Sequence, residues 1–177
     1  MDIEIKTIKE LKSKGVSDVE IKIICDKLYN MTDFISIDYP KHKSWFYAKH
    51  LPETLEENSG RDIIFAQDEN GKFYGTAFIK QDELEKKICT LFVDEDARGL
   101  GIGTKLVEKS MEILGTTKPM ITLAEYKLPM FEGLIKKYDW EQTEKVVGLY
   151  NDKYAELVYN GHLSSSRDNQ RNKGLEL

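Results

Sequence analysis

The segment Val93-Asp94-Glu95-Asp96-Ala97-Arg98-Gly99-Leu100-Gly101-Ile102-Gly103-Thr104 concentrates the residue types that can hold an anion. Glycines let backbone N–H groups approach a ligand closely, and the start of a helix adds a dipole that favours negative charge. The apolar run Ile88 to Val93 precedes the segment. Leu106, Val107, Ser110, Met111 and Leu114 follow it at the spacing of one helical stripe. Strand, glycine turn and helix start together make an anion cradle, and the ligand this implies carries phosphate.

The spacing discriminates among phosphate cradles. A P-loop requires Gly-x-x-x-x-Gly-Lys-[Ser/Thr], but Thr104 separates Lys105 from Gly103 and Leu106 follows. The Gly-x-Gly-x-x-Gly of dinucleotide-binding folds fails as well, because its third glycine would fall on Thr104 or Leu106. What remains is Arg-x-x-Gly-x-Gly: Arg98, Gly101 and Gly103.

The elements that must position this turn are readable on both sides of it. Ile3 to Ile8 alternates as a short strand. Ser17 and Glu20 have capping-box spacing ahead of Ile21, Ile24, Cys25 and Leu28, which predicts a helix of about three turns. A second helix is expected over Lys41 to Leu51, stopped by Pro52. Ile63–Ala66 and Phe73–Ile79 flank Asn70-Gly71 and read as a hairpin. Ile88–Val93 is apolar enough to predict a central strand. Met120–Ala124 reads as a buried strand, and Pro129 opens a helix carrying Phe131, Leu134, Ile135 and Tyr138. Glu144–Tyr150 and Tyr154–Tyr159 form a closing hairpin. The polar residues from 162 to 177 read as a flexible tail to a single domain of residues 1–161.

The Arg98–Thr104 motif, five residues after Val93 in this element order, resembles the pyrophosphate-binding signature [Arg/Gln]-x-x-Gly-x-[Gly/Ala] of the GNAT superfamily of N-acetyltransferases. The resemblance covers residues 1 to 161. It implies an α/β (α+β) GNAT fold: a central mixed, mostly antiparallel sheet, splayed at the acetyl-CoA site and flanked by about four helices. It also implies acetyl-CoA or another acyl-CoA as the ligand. The pyrophosphate would rest on the backbone of Arg98, Gly99, Leu100, Gly101, Ile102, Gly103 and Thr104, and the pantetheine arm would pair with Leu91, Phe92 and Val93.

Acetyl transfer to an amine needs a base, an oxyanion donor and a proton for the leaving thiolate. A backbone N–H near Phe92 or Val93 suits the oxyanion. Many members of the family supply the acid as a tyrosine in the late helix, but aligning Trp140 with the family's terminal Phe puts Ile135 at that position. Tyr138, one turn on, and Tyr126 are the substitutes. For the base, Glu83, Glu85 and Glu125 are the candidates, although Asp82–Lys87 also has the composition of a solvated turn. Tyr39, Trp45, Phe46 and Tyr47 fall where the family's first helices wall the acceptor, and they read equally as core. The implied activity is direct acetyl transfer in a ternary complex to a primary amine on a small molecule or protein. The alternative is a non-catalytic acyl-CoA sensor that kept the cradle and lost the acid.

Composition narrows the setting. The chain has 177 residues, with 26 Lys+Arg against 31 Asp+Glu for a net charge of −5, and no basic stripe, so nucleic acid is not an expected partner. No run approaches the roughly 18 apolar residues of a membrane span, so a membrane is not expected either. Forty per cent hydrophobic residues suffice for a core. His42, His50 and His162 have no metal-ligand spacing, and no metal is expected. Cys25 and Cys89 read as buried thiols in a cytoplasmic protein. A homodimer through sheet edges is compatible with such a domain.

Overall fold

A computed structural model describes residues 2–163, so the expected tail lies outside the described residues from 164 onward. The order is β1 (Ile3–Thr7), α1 (Ile8–Ser13), α2 (Asp18–Thr32), a 3-10 turn (Asp33–Ile37), then α3 (His42–Trp45) running through a π turn (Phe46–His50) into α4 (Leu51–Leu55). There follow β2 (Arg61–Asp68), β3 (Phe73–Gln81), β4 (Lys86–Val93), α5 (Ile102–Leu114), β5 (Ile121–Ala124), α6 (Leu128–Lys137), β6 (Gln142–Val147) and β7 (Ala155–Tyr159). This is the mixed α+β, mostly antiparallel arrangement expected of the sequence.

Strand alternation sends each residue to one of two cores. Ile64 and Ala66 of β2, with Ala77 and Ile79 of β3, face Leu106, Val107 and Leu114 of α5. Ile63, Phe65 and Phe78 face the other way, onto Ile21, Cys25 and Leu28 of α2 and onto Trp45 and Phe46. Helices therefore cover both faces, and β2 and β3 are buried almost throughout because neither face meets water. Ser17 caps α2 as its spacing predicts, accepting from the Glu20 N–H. Gly115 ends α5 in the left-handed region, at φ +66°.

Several expectations are corrected. Helix α1 was not read from the sequence, because six residues are too few to show a period. Pro52 does not stop the second helix but sits in the first turn of α4, where a missing N–H costs nothing. Cys25 is buried, but Cys89 is only half-buried. Glu85 is not on a solvated turn: its carboxylate lies 2.6 Å from Lys80 Nζ, with only 5% of its side chain exposed. Strand β4 is not flanked by strands along its length. It ends the four-stranded sheet β1-β2-β3-β4, while β5-β7-β6 forms a separate three-stranded sheet.

The two sheets meet at a parallel bridge between Lys87 and Met120. There the Ile88 N–H donates to the Met120 carbonyl at 3.0 Å, and the Met120 N–H donates to the Lys86 carbonyl at 2.8 Å. Just beyond, β4 carries a bulge. Ile79 pairs with Ile88 and Phe78 with Thr90, leaving Cys89 as the extra residue. A bulge bends its strand and increases the local twist, which accounts for β4 and β5 parting here.

Candidate active site

The parting strands enclose a cavity lined on the β4 side by Ile88, Cys89, Thr90 and Leu91 and on the β5 side by Ile121, Thr122 and Leu123. Ile35 and Tyr39, from the segment after α2, and Lys127 and Phe131, from the start of α6, complete the lining. Thr90 is 6% exposed and its hydroxyl has no hydrogen-bond partner. Such orphaned buried groups are uncommon and mark places where packing alone does not explain the residue.

At the far end of β4 the glycine turn is built as a cradle. Gly99 and Gly101 hold φ of +81° and +77°, values that L side chains rarely adopt. Gly101 is the N-cap of α5 and has no side chain to offer, so no side-chain hydrogen bond satisfies the first amides of that helix. Gly103 has no positive φ, and a Cβ added there would meet only a Val93 methyl, at 3.5 Å. Neither backbone conformation nor packing within the chain requires glycine at 103. A small residue there leaves room for another molecule to approach the backbone, so the cradle fits a phosphate. Arg98 Nε donates to the Val93 carbonyl at 3.3 Å, which ties the turn back to the strand end, and the Arg98 side chain is otherwise exposed. Leu91, Phe92 and Val93 are half-exposed along the strand that leads from cavity to cradle.

A sequence profile of the acetyltransferase (GNAT) domain matches residues 27–147. The chain belongs to the GNAT acetyltransferase family. Its fold is similar to that of a GNAT family acetyltransferase from Elizabethkingia anophelis with acetyl-CoA bound, at TM-score 0.60 and 14% identity over 91% of this chain and 98% of that one. It is also similar to spermidine N-acetyltransferase from Vibrio cholerae in complex with CoA and spermine, at TM-score 0.54 and 12% identity over 94% and 97% of the two chains. The match to nourseothricin acetyltransferase, at TM-score 0.51 and 15% identity, covers 56% of this chain and 64% of that one, less than two thirds of its length. No curated protein sequence matches.

The expected catalytic side chains of this GNAT domain do not converge on the cavity. Glu125 is exposed and pairs with Lys145 of β6 at 2.8 Å. Tyr138 donates to Glu108 of α5 at 2.5 Å, on the surface where α5 and α6 meet. Glu85 is held by Lys80. Tyr126 is half exposed; its hydroxyl donates to Asp38, and burial of that hydroxyl, then the Asp38 carboxylate, pushes it well above the usual phenol range. None of the four lines the cavity. Among the aromatics expected at the acceptor wall, Trp45 and Phe46 are core, Tyr47 donates to Asp26 at 2.8 Å, and only Tyr39 reaches the lining.

Sequence reasoning missed Glu156 and Lys127. Glu156 is 2% exposed, and its Oε1 accepts from the Tyr39 hydroxyl at 2.9 Å. Burial pushes its carboxyl up to about 7, against the pull of the Tyr39 hydrogen bond, Lys87 and Lys127. Lys127 Nζ lies 3.0 Å from the buried Asp38 carboxylate and over the rings of Tyr39 and Tyr126, at 5.7 and 5.5 Å. The available signal was a single acid inside the apolar run Ala155-Glu156-Leu157-Val158-Tyr159. Among the described residues no group of three or more His, Cys, Asp or Glu could hold a metal ion, and no helix is long and apolar enough to cross a membrane.

Proposed function

We propose that residues 1–161 form an N-acetyltransferase domain that moves the acetyl group of acetyl-CoA to a primary amine by direct attack in a ternary complex. The observation that carries this reading is the seam between β4 and β5, with a mainly apolar cavity at one end, into whose lining Tyr39, Thr90, Thr122 and Lys127 enter, and the glycine turn at the other. In it, the backbone of Arg98 to Thr104 holds the pyrophosphate, and Leu91, Phe92 and Val93 offer the edge of β4 to the pantetheine arm. A backbone N–H near Phe92 or Val93 faces the developing oxyanion. Acetyl-CoA supplies an activated thioester, and the protein supplies orientation and proton management. The domain works in the cytoplasm, where both thiols stay reduced.

Isothermal titration with acetyl-CoA, with Gly103→Val as control, tests the cradle. Micromolar binding lost in the variant is the expected result, and equal affinity in both removes the pyrophosphate from this turn. A second reading, an acyl-CoA sensor without turnover, is favoured by Ile135, which packs against the core where many relatives carry a tyrosine. Amine-dependent release of coenzyme A separates the two.

A further inference from the structure

We infer that Tyr39 and Glu156 form the proton relay for the acceptor amine, with Tyr39 meeting the amine in the cavity and Glu156 taking the proton behind it. The inference rests on the transferase reading above and names the groups that would serve it.

Three observations converge. Tyr39 lines the cavity, and its hydroxyl donates to Glu156 Oε1 at 2.9 Å. A phenol oxygen can accept a proton while passing on its own, and the Tyr39 proton is already donated to a carboxylate. Glu156 lies 2% exposed on β7 opposite Ala124 of β5, and its second oxygen, Oε2, has no hydrogen-bond partner. A carboxyl kept for structure would have both oxygens satisfied, and an apolar residue of similar volume in this strand would be at least as stable. The third observation is Thr90, which lines the same cavity as Tyr39 and carries a second buried oxygen without a hydrogen-bond partner.

Charges from every packed element set the carboxyl's affinity for a proton. Tyr39 and Asp38 face it from the segment after the 3-10 turn, Lys87 from β4, and Lys127 and Tyr126 from the turn after β5. The balance leaves Glu156 near 7, where a base is most effective at neutral pH. Tyr39 is held well above the phenol range, by burial first and by Glu156 next, so it passes a proton on and does not keep the charge.

The step balances as follows. An ammonium substrate gives one proton to Tyr39 Oη as the Tyr39 proton moves to Glu156 Oε1. The freed nitrogen lone pair attacks the thioester carbonyl, the C–N bond forms and the C–S bond breaks. The thiolate leaves and takes up the second proton shed by the nitrogen. Glu156 returns its proton to solvent and no further reactant is needed.

The test is the pH dependence of kcat/KM for acetyl transfer to spermidine, tyramine and an alanine-initiated peptide, for wild type, Glu156→Gln and Tyr39→Phe, with acetyl-CoA affinity measured by titration in each. The wild-type profile is expected to rise through a limb near pH 7. In both variants that limb is lost, the rate tracks ionisation of the amine itself, and kcat falls by about 10²-fold, with acetyl-CoA affinity retained. Tyr39→Phe leaves the carboxylate in place, so the relay remains testable if Glu156→Gln does not fold. Transfer with an unmoved limb in either folded variant overturns the relay alone. A wild type that binds acetyl-CoA and acetylates none of the three amines overturns the transferase reading and the relay with it.

Discussion

Lys80 Nζ lies 2.6 Å from Glu85 Oε1 across the β3–β4 turn, with 3% and 5% of the two side chains exposed. Two charges so thoroughly removed from water hold each other in place at the end of the sheet. Replacing one takes a close counter-ion from the other, which stays buried. Lys80→Met is expected to cost about 3–5 kcal/mol, and the double replacement Lys80→Met/Glu85→Leu to recover most of it. Urea denaturation of the three proteins checks this; a single variant as stable as wild type would show that the pair contributes nothing.

Gly103 separates stability from binding. A Cβ there meets only ordinary contact, and alanine is the better helix former, so Gly103→Ala is expected to keep or raise stability by up to ~1 kcal/mol. Acetyl-CoA affinity is expected to survive that change, because the family signature admits alanine there, and to fall at least about tenfold in Gly103→Val, a loss of ~1.4 kcal/mol. Gly101→Ala, at φ +77°, is expected to lose both. Melting and titration of the same samples distinguish the two glycines.

Two buried groups act oppositely on stability as pH falls. His42 stacks on Tyr29 and Trp45 and accepts or donates one hydrogen bond with Thr32, and burial lowers it from 6.5 to about 4. The unfolded chain takes up that proton first, so this contribution is present above 6.5 and is lost as pH drops toward 4, in all ~3 kcal/mol. Glu156 is raised from 4.5 to about 7, so the folded state takes up its proton first and gains as pH falls over that interval. Between pH 6.5 and 4.5, His42→Phe is therefore expected to lose less stability than wild type and Glu156→Gln to lose more. Parallel slopes in denaturation series at several pH values would contradict both assignments.

Ser17 tests the local code on its own. Its hydroxyl accepts from the Glu20 N–H at 3.3 Å at the start of α2. Ser17→Ala is expected to cost ~1 kcal/mol, and Ser17→Asp to cost nothing measurable by the same denaturation assay.

How much of this was legible before folding depended on distance along the chain. Ser17 and Glu20, Asn70 and Gly71, and the stripe from Leu106 to Leu114 signal through neighbours a few residues apart, and each stands where its spacing places it. The Arg98–Thr104 turn signals in the same way, through closely spaced glycines of which Gly99 and Gly101 take positive φ. The cavity does not. Tyr39, Lys127 and Glu156 come together only through the register that sets Glu156 opposite Ala124 and the bulge at Cys89 that turns β4 aside. Glu125 and Tyr138 are candidates by their places at the end of β5 and along α6, yet they spend their polar atoms on Lys145 and Glu108 at the surface. Glu85 looked solvated because its partner Lys80 is in the preceding strand, and no local pattern records that a lysine will be buried with it.

The Lys87–Met120 bridge divides the backbone mechanically. Each sheet has its own internal ladder, so a change in the width of the seam would stretch the two hydrogen bonds donated by the Ile88 and Met120 amides while the pairs within β1–β4 and β5–β7 stay intact. Opening of this kind belongs to the low-energy end of a protein's fluctuations. In hydrogen exchange, the amides of Ile88 and Met120 would then trade deuterium ahead of the β2–β3 ladder and slow down together when a strand-like ligand arm wedges the seam, reporting its occupancy from outside the chemistry.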